Sequence, residues 1–228
     1  MRKIALVALL CLPLFAGFFP KTVHTSVKSV NDNSVTLNKK FPIDGMSGIV
    51  IHNYGNDLTA ITTRITQTSN GQAILIDADV IDHEALPSIK TAVAPKDKVI
   101  GGYLYNNILL LAPDADTYAK ITASKQKKWI HPDLFAVYLS VIGDDIPTKE
   151  NLASFAKKFQ IGLIYIVRKD SAVLLDPISG KIVGQKNMAG LPQKGQFPFY
   201  MRLQSLESGW FGGSSKSGGN YYNTMQSI

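Results

Sequence analysis

Cysteine is nearly missing from this chain: Cys11 stands alone in 228 residues. One thiol excludes an intramolecular disulfide framework and any zinc centre built from thiolates. Charge is also sparse. Asp, Glu, Lys and Arg make up 18% of the residues, below the roughly 25% usual for globular domains. The 24 basic and 17 acidic side chains leave a formal charge of +7, with no dominant basic block. The pairs Lys39-Lys40, Lys127-Lys128 and Lys157-Lys158 are not interleaved with aromatic residues as in nucleic-acid readers, so no nucleic-acid partner is expected. Nor is there an internal repeat of 20–50 residues.

Reactive motifs are missing as well. Neither a phosphate-binding glycine loop of the G-x-x-x-x-G-K-[ST] type nor H-E-x-x-H occurs. Gly45-Met46-Ser47-Gly48 falls short of a nucleophile elbow, because Ile49 stands where the second glycine is required. Two weaker constellations remain. Asp77, Asp79, Asp82, His83 and Glu84 form an acidic group at a strand end. Their oxygens suit a hard divalent cation, but the spacing fails the calcium-loop pattern, so a solvated loop is the reading and no metal is expected. His131, two residues before Asp133, could act as a base; capping the following helix is the simpler role. His24 and His52 lie in strand contexts without a visible partner. Neither catalytic residues nor a cofactor is expected, and a hydrolase using His131 or the acidic group is the least favoured reading.

What is present begins at the N-terminus. Arg2 and Lys3 precede an uncharged run, Ile4 to Phe19. As a helix it would reach about 24 Å, short of a hydrocarbon core of roughly 30 Å, and Pro13 interrupts it. Residues 1–21 therefore read as a secretory signal peptide, with cleavage expected to leave a chain starting between residues 17 and 24. Left uncleaved, the same run would associate the protein with a membrane. Lipid attachment at Cys11 is disfavoured by Leu10, which stands where a small residue is needed. The expected location is the periplasm, outer envelope or cell surface.

Beyond this leader the pattern is α+β: an antiparallel β-sheet or partly closed barrel, then an α+β unit ending in a β-meander. Residues 22–112 form the β-rich part. Alternation over Thr22–Val30, Ser34–Leu37 and Leu58–Gln67 supports strands, and Asn70-Gly71 marks a hairpin. Tyr103-Leu104-Tyr105 reads as a further strand. Residues 113–205 form the α+β part. A helix capped by Asp114 or Asp116 is expected to run to about Lys128, a short apolar helix covers Asp133–Ser140, and a third covers Lys149–Phe159 behind Thr148. Ile161–Val167 is a continuous apolar run and reads as a central strand covered on both faces. Residues 206–228, rich in Gly and Ser with scattered aromatics, read as a disordered tail.

Four stretches carry a family resemblance: Gly45-Met46-Ser47-Gly48-Ile49-Val50-Ile51-His52; the Thr-rich strand that follows it; His131-Pro132-Asp133-Leu134-Phe135-Ala136-Val137-Tyr138-Leu139; and Pro147-Thr148-Lys149-Glu150 through Phe159-Gln160-Ile161-Gly162-Leu163-Ile164-Tyr165. As a set they resemble the plasminogen-binding protein N-terminal domain of epsilon-class proteobacteria, over about residues 22–186. The resemblance implies an exported binding module whose protein partner is host plasminogen, and it brings no catalytic residues. Plasminogen's kringle modules hold a lysine ammonium against carboxylates, with its stem along aromatic rings. The sequence ends Gln226-Ser227-Ile228, so the lysines expected to serve are internal: Lys125, Lys127, Lys128, Lys157 and Lys158, on or just after predicted helices. A periplasmic or structural envelope-assembly protein that does not bind plasminogen is the alternative.

Overall fold

A computed structural model describes residues 17–76, 91–203 and 219–228. Residues 1–16 of the expected signal peptide, the acidic group Asp77–Glu84 and the Gly/Ser-rich stretch 204–218 lie outside these described residues.

The first half closes on itself. Strands β1 (Val23–Asn31), β2 (Ser34–Leu37), β3 (Ser47–Gly55), β4 (Leu58–Ser69), β5 (Gln72–Ile76) and β6 (Lys98–Gly101) form a barrel in the order β1-β2-β5-β4-β3-β6. The closing strand is β6, which pairs antiparallel with both Val23–Ser26 and Gly48–Ile51. Its apolar register was hidden among irregular residues, which is why the sequence pattern left open whether the sheet closes. Each strand sends one side chain into a shared layer: Val27, Val35, Val50, Ile65, Ala73 and Val99, all at most 1% exposed. Side chains of this size fill the interior of a small barrel. The Asn70-Gly71 turn joins β4 to β5 with positive φ at both residues, as a hairpin of this type needs.

The second half is a five-stranded sheet in the order β11-β10-β9-β7-β8, built from β7 (Asn107–Leu111), β8 (Lys128–Ile130), β9 (Leu163–Val167), β10 (Ser171–Asp176) and β11 (Lys181–Asn187). The three strands β8, β7 and β9 are parallel, and β9-β10-β11 is an antiparallel meander. Helices α1 (Ala115–Ser124), α2 (Pro132–Ile142) and α3 (Lys149–Phe159) lie in the crossovers. As its apolar run requires, β9 is the middle strand and every residue in it is buried. Period two splits the sheet cleanly. Ile108, Leu110, Leu163, Tyr165, Ala172 and Leu174 join the barrel interior and Ile121 of α1 in one hydrophobic cluster. Leu109, Leu111, Ile164, Ile166, Val173 and Leu175 face α2 and α3 in another. Barrel and sheet thus share a core, and the barrel ends at β6; β7 belongs to the sheet.

Three local expectations are corrected. Tyr103-Leu104-Tyr105 is a turn, not a strand. Gly102 and Leu104 both take positive φ, and the turn lies so close to Gly162 that a Cβ there would meet the Leu104 carbonyl oxygen at 2.2 Å. The helix α1 stops at Ser124 rather than about Lys128, because Lys128–Ile130 pair with Asn107–Leu109 and draw the chain into extended backbone. The last residues are not a disordered tail. Tyr221–Ser227 form a helix, α4, capped by Asn220, and Tyr221, Tyr222, Met225 and Ile228 are buried in the second cluster. The hydroxyl of Tyr221 sits 3.0 and 2.7 Å from the carbonyl oxygens of Leu111 and Val167, at the ends of β7 and β9. Four apolar anchors in one short segment outweigh the cost of ordering it.

Candidate functional site

The connection from α1 to β8 carries three of the expected lysines. The side chain of Asp114 accepts the Thr117 N–H at 2.7 Å and starts α1. After Ser124 the backbone extends, and the indole N–H of Trp129 donates to the Lys125 carbonyl at 3.1 Å, fixing the bend. Lys125 and Lys128 are exposed. Lys127 is half-buried, with its ammonium 5.1 Å from the centroid of the Phe19 ring. Burial lowers the pKa of Lys127.

Beside these lysines lies an aromatic floor. Phe18 packs edge-on to Phe19 at 5.0 Å and to Tyr165 at 5.2 Å, and Trp129 meets Tyr165 at 6.1 Å. A further cation sits on it: the ammonium of Lys186, on β11, lies 4.8 Å from the Phe18 centroid and 5.5 Å from that of Tyr165. Burial, and then the charge of Lys125, lower the Lys186 pKa, so Lys125 and Lys186 feel one another across strands far apart in sequence. Gly184 permits the arrangement, since a Cβ there would meet the Phe18 carbonyl oxygen at 2.4 Å. The face is therefore a cation-bearing aromatic patch, in which ring quadrupoles favour ammonium groups.

The other two lysines sit elsewhere. Thr148 and Asn151 form a reciprocal capping box that starts α3. Lys157 and Lys158 occupy its last turn, where cations complement the helix dipole. Lys158 is exposed and Lys157 half-buried. Because α1 packs on the barrel side of the sheet and α3 on the opposite side, the structure does not gather the five lysines. It sets Lys125 and Lys127 near the aromatic patch and Lys157 and Lys158 on α3, while Lys128, on the edge strand β8, alternates with Trp129 and shares the face of Ile130. Lys186 joins the first group; the sequence held no sign of this, since only the folding of β11 beside β10 brings it there.

The two histidine sites take structural roles. The ring of His131 caps α2, its Nδ1 accepting the Asp133 N–H at 3.2 Å, with the rings of Tyr118 and Tyr200 at 5.0 and 6.0 Å. Burial holds the His131 pKa below its ordinary value, against the opposing charge of Asp133. For Asp133 burial works upward, yet hydrogen bonds from the Arg202 backbone N–H and guanidinium, at 2.8 and 2.9 Å, hold it below the usual carboxylate range. His52 has a partner that sequence alone could not show: Nδ1 lies 2.8 Å from Asp97 Oδ1, and Asp97 also accepts the Ala94 N–H. Among the described residues, no three His, Cys, Asp or Glu side chains gather as a metal site would require, and no helix is long and apolar enough to cross a membrane.

Comparison with known proteins adds one finding. A family model described as "Plasminogen-binding protein pgbA N-terminal" matches residues 22–228. No curated protein and no solved structure matches. The match spans nearly the whole chain, so the protein belongs to the plasminogen-binding protein N-terminal domain family.

Proposed function

We propose that this protein is an exported binding module of the bacterial envelope surface, and that it captures plasminogen through internal lysines, without catalysis. The family match over residues 22–228 is the observation that carries the reading. The apolar leader behind Arg2 and Lys3 supports export. The structure supplies what lysine capture needs: exposed ammonium groups on long stems at Lys125, Lys128 and Lys158. Where the mature protein retains Phe19, Lys127 is the weaker presenter, because entering a kringle would take its ammonium off that ring.

Surface plasmon resonance against immobilised plasminogen tests this. Binding should saturate, and a soluble lysine analogue should abolish it. Binding indifferent to the analogue would overturn the lysine mechanism. Lack of binding altogether would favour the envelope-assembly reading, which crosslinking in intact envelopes would then pursue. Sequencing the N-terminus of protein taken from its own envelope tests export; a start between residues 17 and 24 is expected, and an intact Met1 in a membrane fraction would support an anchor. A start at residue 17 or 18 keeps Phe18 and Phe19 in the mature protein, whereas a start at 20 or later removes both and leaves Tyr165 and Trp129 as the patch beside Lys186.

A further inference from the structure

The helix α2 is apolar on every side: in Pro132–Ile142, Asp133 and Ser140 are its only polar residues. Such a helix calls for cover all round. Phe135, Ala136 and Leu139 are buried inward. Tyr138 turns onto Phe155 and Phe159 of α3, with ring centroids 5.4 and 6.3 Å away. Outward, Leu134, Val137 and Val141 recur at i, i+3 and i+7, a stripe on the helix surface. Leu134 is 40% exposed, Val141 77% and Ile142 44%, and Ile146 just beyond is 45% exposed. This is the largest run of exposed apolar side chains on any one element among the described residues.

The charges at its two ends indicate what covers it. At the N-terminal end Arg202 is held on Asp133 with 64% of its side chain exposed. At the C-terminal end, past the left-handed Gly143 cap, Asp144 and Asp145 are exposed. A lipid surface would be met better by cations at both ends. A second copy laid antiparallel meets both needs. Its Arg202 falls opposite Asp144 and Asp145, the two-fold axis repeats the contact at the other end, and the helix dipoles oppose. A parallel pair would set like charges together. We propose that the outer face of α2 is a self-complementary antiparallel interface between two copies of this chain. The seam of one 11-residue helix is small beside the roughly 800 Å² per partner of a standard interface, so the dimer is weak and concentration-dependent.

Sedimentation of the purified protein from about 1 μM to about 1 mM tests this. The mass should rise from one chain toward two. Val141→Asp, on a side chain already in solvent, should stay a single chain with an unchanged thermal midpoint. Asp144→Lys with Asp145→Lys should weaken the dimer by about tenfold, since each exposed pair contributes little and symmetry doubles it. Arg202→Gln, which keeps a donor facing Asp133, should weaken the dimer to a similar degree. A single chain at all concentrations, or a dimer that Val141→Asp leaves intact, overturns the interface. Association that neither charge variant weakens overturns the antiparallel arrangement. Sedimentation with anionic vesicles that depends on Val141 would assign the face to lipid instead. None of these outcomes bears on plasminogen capture.

Discussion

Asp176 shows how one side chain can hold two architectures together. It is fully buried at the end of β10 and accepts four hydrogen bonds: from the backbone N–H of Ser47 in the barrel at 2.8 Å, from the Tyr105 hydroxyl at 2.5 Å, and from the Ile178 and Ser179 N–H groups at 2.9 and 3.1 Å. A buried carboxylate is tolerated only when so satisfied. Burial, then the Asp176 charge, push the Tyr105 hydroxyl well above its ordinary pKa, so it stays protonated and donating. Tyr105→Phe removes one donor from a buried charge and should destabilise the protein by about 1–3 kcal/mol. Asp176→Ala strips acceptors from three N–H groups and should cost more. Urea unfolding checks both, and equal, near-zero effects would contradict a joint at this position.

A second residue-scale prediction concerns acid. His131 and Asp133 are both held below their ordinary pKa values, so the native state binds fewer protons than the unfolded chain. Their contribution is fully present above the ordinary histidine value of about 6.5 and is lost as pH falls toward the lowered native value; Asp133 extends the loss below about pH 4. His131→Asn keeps a capping oxygen at the start of α2 but cannot titrate. Between pH 7.5 and 5.5 the natural protein should lose about 1–2 °C more of its thermal midpoint than this variant, a small effect because the site is partly solvated. An identical pH response in the two proteins would remove His131 from the account.

At the scale of elements, legibility followed how local the cause was. Asn70-Gly71, the Thr148 cap and the apolar run of β9 act within a few residues, and each stands in the structure as its pattern implies. The turn at 102–106 was not legible, because Tyr-Leu-Tyr suits a strand and only the close approach at Gly162 makes it turn. The final helix was hidden by its Gly- and Ser-rich neighbourhood; its cause lies in the ends of β7 and β9, over fifty residues away in the case of Val167. The aromatic patch is similar: Phe18, Tyr165 and Lys186 have no common local signal. If α4 belongs to the core, cutting into it should act like a core mutation. Tyr221→Ala should cost about 3–5 kcal/mol and Tyr221→Phe about 1–2 kcal/mol, the latter through carbonyls left without their partner. Denaturant midpoints that ignored both changes would return residues 219–228 to the status of a passive tail.

At the scale of the whole molecule, the sheet separates the two lysine groups. Lys125 and Lys127 leave from the barrel side, with Lys128 on the edge strand β8 alternating to the face of Ile130, and Lys157 and Lys158 leave from the side of α3. Two kringles of one plasminogen molecule could engage them together only by reaching around the sheet, so independent engagement is the simpler expectation. An exposed ion pair with a modest cation–π contribution gives roughly 1–2 kcal/mol per lysine, or about a five- to thirtyfold change in Kd. Replacing Lys125, Lys127 and Lys128 with Ala together should therefore weaken binding more than any single change, with the smallest single effect at Lys127 where Phe19 is retained, its ammonium being already turned onto that ring. Replacing Lys157 and Lys158 should remove the binding capacity of that face and leave the affinity of the other unchanged, since each face engages its own plasminogen molecule. Surface plasmon resonance on the two cluster variants and their combination measures this. If each cluster variant instead weakens a single Kd and the two losses combine in it, one plasminogen bridges both faces. A loss confined to one cluster would assign capture to that face alone, and the aromatic patch carrying Lys186 would then be decisive: Lys186→Ala should weaken binding only if the capturing face is the one with Lys125.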